Sequence, residues 1–211
     1  MIPKIDRWTI VIPGAWNVRI FSPEWMGKYL FENNEQIKVE LNIESAIFKI
    51  RFSTDNLVLM PANDRFIIGV KNITDETLQM AEKVARKLLD TLSHTPFRAF
   101  GVNFGFIEQN PPPGLISLFE LNDLLKISGF GAIVKSTEIT RKLIINDEII
   151  NIKQTLNEQS NIEIRLNFHY AINSTELACD KLLNLIVPCR DTAYNLLDAI
   201  YTLKLDEESA I

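Results

Sequence analysis

One stretch decides the fold of this chain: Ile162-Glu163-Ile164-Arg165-Leu166-Asn167-Phe168-His169-Tyr170. Its apolar side chains alternate with polar ones throughout, so the apolar side chains share one side of an extended strand. A period of two is typical of a half-buried strand, because successive side chains of a strand point to opposite faces. We therefore predict an antiparallel sheet with one face against a core and one polar face.

The same pattern recurs on the N-terminal side of this strand. Apolar and charged residues alternate over residues 37–41 and 48–52, and residues 16–21 also fit a strand. Residues 97–107 place Phe and Val side chains on one face, while the other face carries two glycines. These segments predict further strands of an antiparallel sheet.

Helical spacing of apolar residues separates the strands. The predicted helices are a short one over 23–31 that Asn33-Asn34 ends, a long one from Thr74, a third over 115–127, and one over 175–201 that Pro188 interrupts. On the long helix, Glu82 and Arg86 are spaced as a pair on the solvent side. The order of strand, short helix, strands and longer helix therefore occurs twice.

The predicted fold class is α+β, with antiparallel sheet or sheets covered on one face by helices and an internal duplication of a strand-helix-strands-helix unit. The predicted boundaries are residues 1–109 for the first half, 110–114 for a Pro-rich link, 115–203 for the second half and 204–211 for an acidic tail. The strand at 97–107 could equally belong to the second half. In topology alone this order resembles the saddle architecture of the TATA-binding-protein fold, and other duplicated helix-on-sheet folds fit nearly as well.

Composition limits the classes of protein. The 211 residues are 46% hydrophobic and 23% charged, which suits one large or two small globular domains. A net charge of −5 argues against wholesale wrapping of nucleic acid. The two cysteines, Cys179 and Cys189, show no metal or disulfide spacing and indicate a reducing compartment. Without a membrane-length apolar stretch or a signal peptide, we expect a soluble cytoplasmic protein with no membrane partner.

Motifs that announce an enzyme are missing from the sequence. It contains no HExxH, GxSxG, GxxxxGK[ST] or GxGxxG pattern, and His94 and His169 are the two histidines. We predict no catalytic residue, no metal ligand and no cofactor. The sequence does not decide whether the chain is an enzyme, although the missing motifs favour a protein without catalytic activity.

One surface could bind a partner. If the strand phases are right, the sheet face without helices carries Arg19, Lys38, Glu40, Lys49, Arg51, Asn103, Lys153, Glu163, Arg165, Asn167 and His169. Cations outnumber anions in this set, and the candidate binding residues are Arg19, Lys49, Arg51, Asn103, Lys153, Arg165, Asn167 and His169. Against binding, the face lacks an aromatic platform, and strand cations also serve as protection against aggregation.

Two further features point to close contacts. Gly101 and Gly105 share one strand face, where a packed helix, a sharp twist, a ligand or a partner chain would approach the backbone.

Trp8 and Trp16 are candidate anchors for a partner, since tryptophan is enriched in interface hot spots. A place in the core is the alternative for both tryptophans.

Three functions are compatible with this sequence. The leading hypothesis is a non-enzymatic protein-interaction module, either a soluble subunit of a larger assembly or a homodimer. The second is a nucleic-acid-binding module that uses the polar sheet face. A weaker third is a small-molecule or hydrolytic site between the two halves that uses His94 or His169.

Overall fold

The computed structural model describes residues 1–32, 35–44 and 47–206, and the side chains of residues 41–44 and 47–49 fall outside this description. Within these residues the strands are β1 (Ile2–Pro3), β2 (Thr9–Pro13), β3 (Lys38–Glu44), β4 (Ile47–Ser53), β5 (Leu57–Pro61), β6 (Arg65–Val70), β7 (Phe100–Glu108), β8 (Ser136–Ile145), β9 (Glu148–Asn157) and β10 (Ile162–Tyr170). The α-helices are α1 (Pro23–Tyr29), α2 (Asp75–Thr91), α3 (Pro113–Ile116), α4 (Leu124–Gly129), α5 (Thr175–Leu182) and α6 (Ile186–Tyr201).

All ten strands belong to one antiparallel sheet in the order β3-β4-β5-β6-β2-β7-β10-β9-β8, and β1 also pairs with β7. Strand β7 joins the two halves of the chain: it pairs with β2 on one side, where Thr9 lies opposite Asn103, and with β10 of the second half on the other. Strands β3 and β8 form the two ends of this order. The halves therefore share one continuous sheet, while the internal duplication of the chain stays a prediction.

Helices cover one face of the sheet. Helix α2 packs on β2, β6, α1, α5 and α6, and α6 also contacts β7. The large core side chains come from the faces that the sequence predicts to be apolar, as the burial of Phe104, Phe106 and Phe168 shows. Burial alternates strictly along Ile162–Tyr170, and Arg165 is the most exposed residue on the polar side of that strand. The predicted α+β class with helices on one sheet face is confirmed.

Several local signals act as the sequence predicts. The Ser22 hydroxyl accepts from the Trp25 N–H at the start of α1, and the Thr74 hydroxyl accepts from the Thr77 N–H at the start of α2. Strands β8 and β9 form the predicted hairpin around Asn146-Asp147. Both turn residues have positive φ, 50° and 65°, which a type I′ hairpin turn requires.

Three predicted elements differ in the structure. Residues 16–21 do not form a strand, and a 3₁₀ turn occupies Val18–Ile20 instead. The helix predicted over 115–127 is divided into α3, a 3₁₀ turn at Ser117–Phe119 and α4. The break between α5 and α6 precedes Pro188, which lies in the first turn of α6, where the missing N–H of proline costs no helical hydrogen bond.

The predicted solvent position of Glu82 on α2 is wrong. Its side chain is buried, and its two carboxylate oxygens accept from the main-chain N–H groups of Asn184, Leu185 and Ile186 at 2.7, 2.8 and 3.2 Å. Those groups begin α6, and a carboxylate is a favourable partner for the unsatisfied donors of a helix N-terminus. Glu82 thus joins α6 to α2.

Parts of two predictions lie outside the described residues. These are the helix end at Asn33-Asn34 and residues 207–211 of the acidic tail.

Candidate functional site

The face of the sheet without helices, here called the open face, contains most of the predicted binding residues. Register places Asn103 on β7 opposite Asn167 on β10, and Asn167 opposite Asn151 on β9. Arg165 lies opposite Lys153, and His169 opposite Ile149. The structure therefore brings Asn103, Lys153, Arg165, Asn167 and His169 onto one surface.

A row of hydrogen-bonded side chains, here called the amide ladder, crosses the middle of the open face. Asn151 Nδ2 donates to Asn167 Oδ1 at 3.1 Å, and Asn167 Nδ2 donates to Asn103 Oδ1 at 2.8 Å. Asn103 Nδ2 then donates to the Thr9 hydroxyl at 3.1 Å. Cross-strand pairs of this kind stabilise a sheet in one register. The amide ladder therefore links four strands from both halves: β2, β7, β10 and β9.

Acidic neighbours offset the cations of the open face. Lys153 Nζ lies 2.7 Å from Glu138 Oε2, and Arg165 Nη2 lies 3.1 Å from Glu163 Oε2. Glu163 also accepts from Lys4 Nζ at 2.9 Å, and this hydrogen bond, helped by Arg165, lowers the pKa of the Glu163 carboxyl. The surface is therefore a mixed-charge face, which attracts phosphate groups less than its arginines and lysines alone would.

The remaining predicted cations contribute less to this surface. Arg19 lies in the 3₁₀ turn Val18–Ile20 and not on a strand, because residues 16–21 do not join the sheet. Lys49 pairs in register with Asn42, but its side chain lies outside the described residues. Arg51 is partly buried, and its Nε is enclosed without a hydrogen-bond partner among the described residues.

The close approach predicted at the β7 glycines comes from the chain itself. A Cβ on Gly105 would lie 2.4 Å from Arg7 Cβ, because a 3₁₀ turn at Ile5–Arg7 lies against β7 on the open face. A Cβ on Gly101 would lie 2.6 Å from Asn167 Nδ2 of the amide ladder. Both glycines thus make room for the chain's own side chains.

The two tryptophans predicted as partner anchors lie in the core, which was the alternative. Trp8 is 1% exposed and Trp16 is 3% exposed. The Trp8 ring packs edge-on against Phe104 with centroids 5.0 Å apart, and its Nε1 donates to Gly105 O at 3.0 Å. Trp16 Nε1 donates to Ile12 O at 2.9 Å. Both indole rings therefore lack the exposure that an interface anchor needs.

Among the described residues, the most apolar exposed part is residues 121–134, here called the apolar segment, which is not among the sites predicted from the sequence. Leu125 is 87%, Phe130 90% and Ile133 80% exposed, and Leu121 and Val134 are also exposed. Helix α4 nevertheless has a defined end: Gly131 has φ +84°, its N–H donates to Ser128 O, and the Ala132 N–H donates to Ile127 O. This is the Schellman arrangement, which needs a left-handed residue at Gly131.

His169 contributes to a cleft of about 350 Å³ beside the β8–β9 turn. Its other lining residues include Asp147, Glu148, Tyr170 and Lys181, and all of them belong to the second half of the chain. Lys181 Nζ lies 2.7 Å from Glu148 Oε1 and 5.0 Å from the Tyr170 ring centroid. The cleft therefore does not lie between the two halves, where the sequence predicted a small-molecule site, and His94 is not among its lining residues.

The nucleophilic groups behind this cleft are protonated at neutral pH. The Tyr170 hydroxyl contacts Cys189 Sγ at 3.2 Å in the buried core. Burial raises the pKa of the Cys189 thiol to about 12 and also raises the pKa of the Tyr170 phenol. A thiol reacts as its thiolate, so Cys189 is a poor nucleophile in the folded chain.

The chain matches no protein-family model and no curated protein sequence. In the described part of the chain, no group of three or more His, Cys, Asp or Glu side chains is arranged to hold a metal ion. No helix among the described residues is long and apolar enough to cross a membrane.

Proposed function

We propose that this chain is a non-enzymatic protein-interaction module and that the apolar segment binds its partner. The exposed side chains of Leu125, Phe130 and Ile133 are the single observation that carries the proposal. Burying each of them at an interface would contribute about 1.5–3 kcal/mol, which is enough for three side chains to dominate the binding energy. Three large apolar side chains exposed within nine residues of sequence favour an interaction site.

The local structure of the segment also supports binding. The Schellman end of α4 fixes the backbone at Phe130, Gly131 and Ala132, so the Phe130 side chain is held at a defined helix end. A partner therefore needs to order little of the backbone, and a smaller entropy loss favours association. The polar residues Asp123, Lys126 and Ser128 lie among the apolar ones and could form the rim of an interface.

Capture of partners by a tagged full-length chain in its native cell tests this proposal. The variant Leu125→Ser/Phe130→Ser should lose a stoichiometric protein partner that the unchanged chain retains at high salt. Leu177→Ser/Ile200→Ser is a matched control, because those exposed apolar side chains lie on α5 and α6. Equal capture by both variants and the unchanged chain would reject the apolar segment as the binding surface.

The second candidate function is nucleic-acid binding through the open face. The amide ladder favours it, because side-chain amides flanked by cations such as Lys142 and Arg165 can contact base edges and phosphates. This function predicts an affinity that falls steeply with salt and is abolished by charge reversal at Lys49, Arg51 and Arg165. Binding that is unchanged in the triple variant would remove the open face as the site.

A further inference from the structure

We propose that a second copy of this chain pairs with the free edge of β8, so that two sheets join in antiparallel orientation across a twofold axis. The inference goes beyond the proposed function, because it adds a separate interface at the β8 edge. Strand β8 ends the strand order of the sheet and pairs only with β9 among the described strands. A ten-residue edge strand whose outward N–H and C=O groups bond to no described residue is a template for a further strand.

Hairpin geometry determines which groups of β8 face outward. Ile145 and Glu148 close the two-residue type I′ turn, and the closing pair of such a hairpin exchanges both main-chain hydrogen bonds. Because bonding alternates along an antiparallel pair, the odd-numbered residues of β8 bond to β9. The N–H and C=O groups that face the free edge belong to the even-numbered residues, Ser136, Glu138, Thr140, Lys142 and Ile144.

Side-chain charge then selects one register. A twofold axis perpendicular to the sheet places one β8 residue opposite its own copy. With Thr140 on the axis, Glu138 of each copy lies opposite Lys142 of the other, which forms two opposite-charge pairs per dimer. Centring the pair on Glu138, Arg141 or Lys142 would place like charges opposite each other, and centring it on Ile139 would form no opposite-charge pair.

The Thr140 register also satisfies the hydrogen-bond pattern. Thr140, Glu138 and Lys142 all have outward-facing main-chain groups, so these opposed residues form hydrogen-bonded pairs. Their side chains are all exposed on the open face. Glu138 already pairs with Lys153 of its own chain at 2.7 Å, so in the dimer its carboxylate contacts a second cation, Lys142 of the other copy. The register further brings Ile144, 71% exposed, next to residues 134–136 of the other copy, where the apolar segment ends.

Sedimentation equilibrium of the full-length chain tests this pairing. The unchanged chain should dimerise, and Lys142→Glu should weaken the dimer about tenfold or more, because two attractive pairs become repulsive. Glu138→Lys should weaken it in the same way. A mixture of the two single variants should restore a heterodimer, since every opposed pair then has opposite charges.

Three results would overturn the pairing. The first is a monomer at all concentrations, and the second is a dimer whose affinity neither single variant changes. A dimer that is lost only in Leu125→Ser/Phe130→Ser would place self-association on the apolar segment and also reject β8. Failure of the proposed function is distinguishable, because equal capture of a partner by the unchanged chain and by Leu125→Ser/Phe130→Ser would reject the apolar segment and leave the effect of Lys142→Glu on the sedimenting dimer unchanged.

Discussion

Glu82 Oε2 accepts a 2.8 Å hydrogen bond from the main-chain N–H of Leu185, although the two residues are 103 positions apart. The same carboxylate accepts from Asn184 and Ile186. Glu82 belongs to α2, and its three donors form the start of α6. The orientation of α6 on the sheet therefore depends on a charged side chain buried between helices, in addition to apolar packing.

Replacing Glu82 should destabilise the fold strongly. Glu82→Ala leaves three N–H groups without their acceptor in a buried place and should lower the free energy of unfolding by about 2–4 kcal/mol. Glu82→Gln keeps one acceptor oxygen and should cost roughly half as much. Denaturant unfolding measures both. Gln79→Ala, an exposed change on the same helix, should stay within about 0.5 kcal/mol. If Glu82→Ala also lowered the free energy of unfolding by no more than about 0.5 kcal/mol, the role of Glu82 in joining α2 to α6 would be contradicted.

A methyl group at Gly105 should also destabilise the fold. In Gly105→Ala the new Cβ meets Arg7 Cβ at 2.4 Å, so the 3₁₀ turn Ile5–Arg7 must move, at an expected cost of about 1–3 kcal/mol. Gly114→Ala is the matched control, because nothing lies within 4 Å of its Cβ position. Adding Arg7→Gly to Gly105→Ala should restore part of the lost stability, measured by thermal unfolding. No recovery would show that the strain arises elsewhere.

Trp8→Ala should unfold or severely destabilise the chain and should not act as a selective binding mutation. The indole ring fills the core between Phe104, Phe106 and Tyr194, and losing it should cost about 3–5 kcal/mol. Circular dichroism and denaturant unfolding measure this loss. A variant that is stable but no longer binds its partner would instead restore Trp8 as an interface anchor.

The two cysteines should differ in reactivity. Cys179 is partly exposed, whereas Cys189 is buried and burial raises the pKa of its thiol to about 12. At pH 9 a thiol reagent should modify Cys179 first and Cys189 only at the rate of unfolding. Mass spectrometry of the Cys179→Ser and Cys189→Ser variants separates the two sites. Fast modification of Cys189 in the native chain would contradict its placement in the core.

Sequence periodicity predicted the sheet because strand alternation is a local property. The buried side of Ile162–Tyr170 and the hairpin at Asn146-Asp147 both follow from neighbouring residues. The register between strands depends on residues far apart in the sequence, so the sequence does not predict the amide ladder. The sequence does place Asn103 and Asn167 on the open face, where they form a hydrogen bond. Glu82 is buried because the start of α6 packs over it, and the sequence of α2 does not predict where α6 lies.

The candidate site was harder to predict for a related reason. The sequence predicts a helix over 115–127 but does not reveal which of its apolar side chains are buried, and the structure leaves Leu125 exposed. Tryptophans are common in both cores and interfaces, so the sequence could not distinguish these places for Trp8 and Trp16. Exposure is a property of the whole fold, and the three-dimensional arrangement was needed to move the candidate surface from the tryptophans to residues 121–134.

Amide hydrogen exchange of the full-length chain, free and in its captured complex, tests the central claim most directly. The claim is that the chain binds protein through the apolar segment. It predicts that the amides of residues 121–134 gain protection in the complex. The amides of the edge strand β3, at the other end of the sheet, should exchange equally in both states. Unchanged exchange over residues 121–134, together with new protection elsewhere on the molecule, would contradict it.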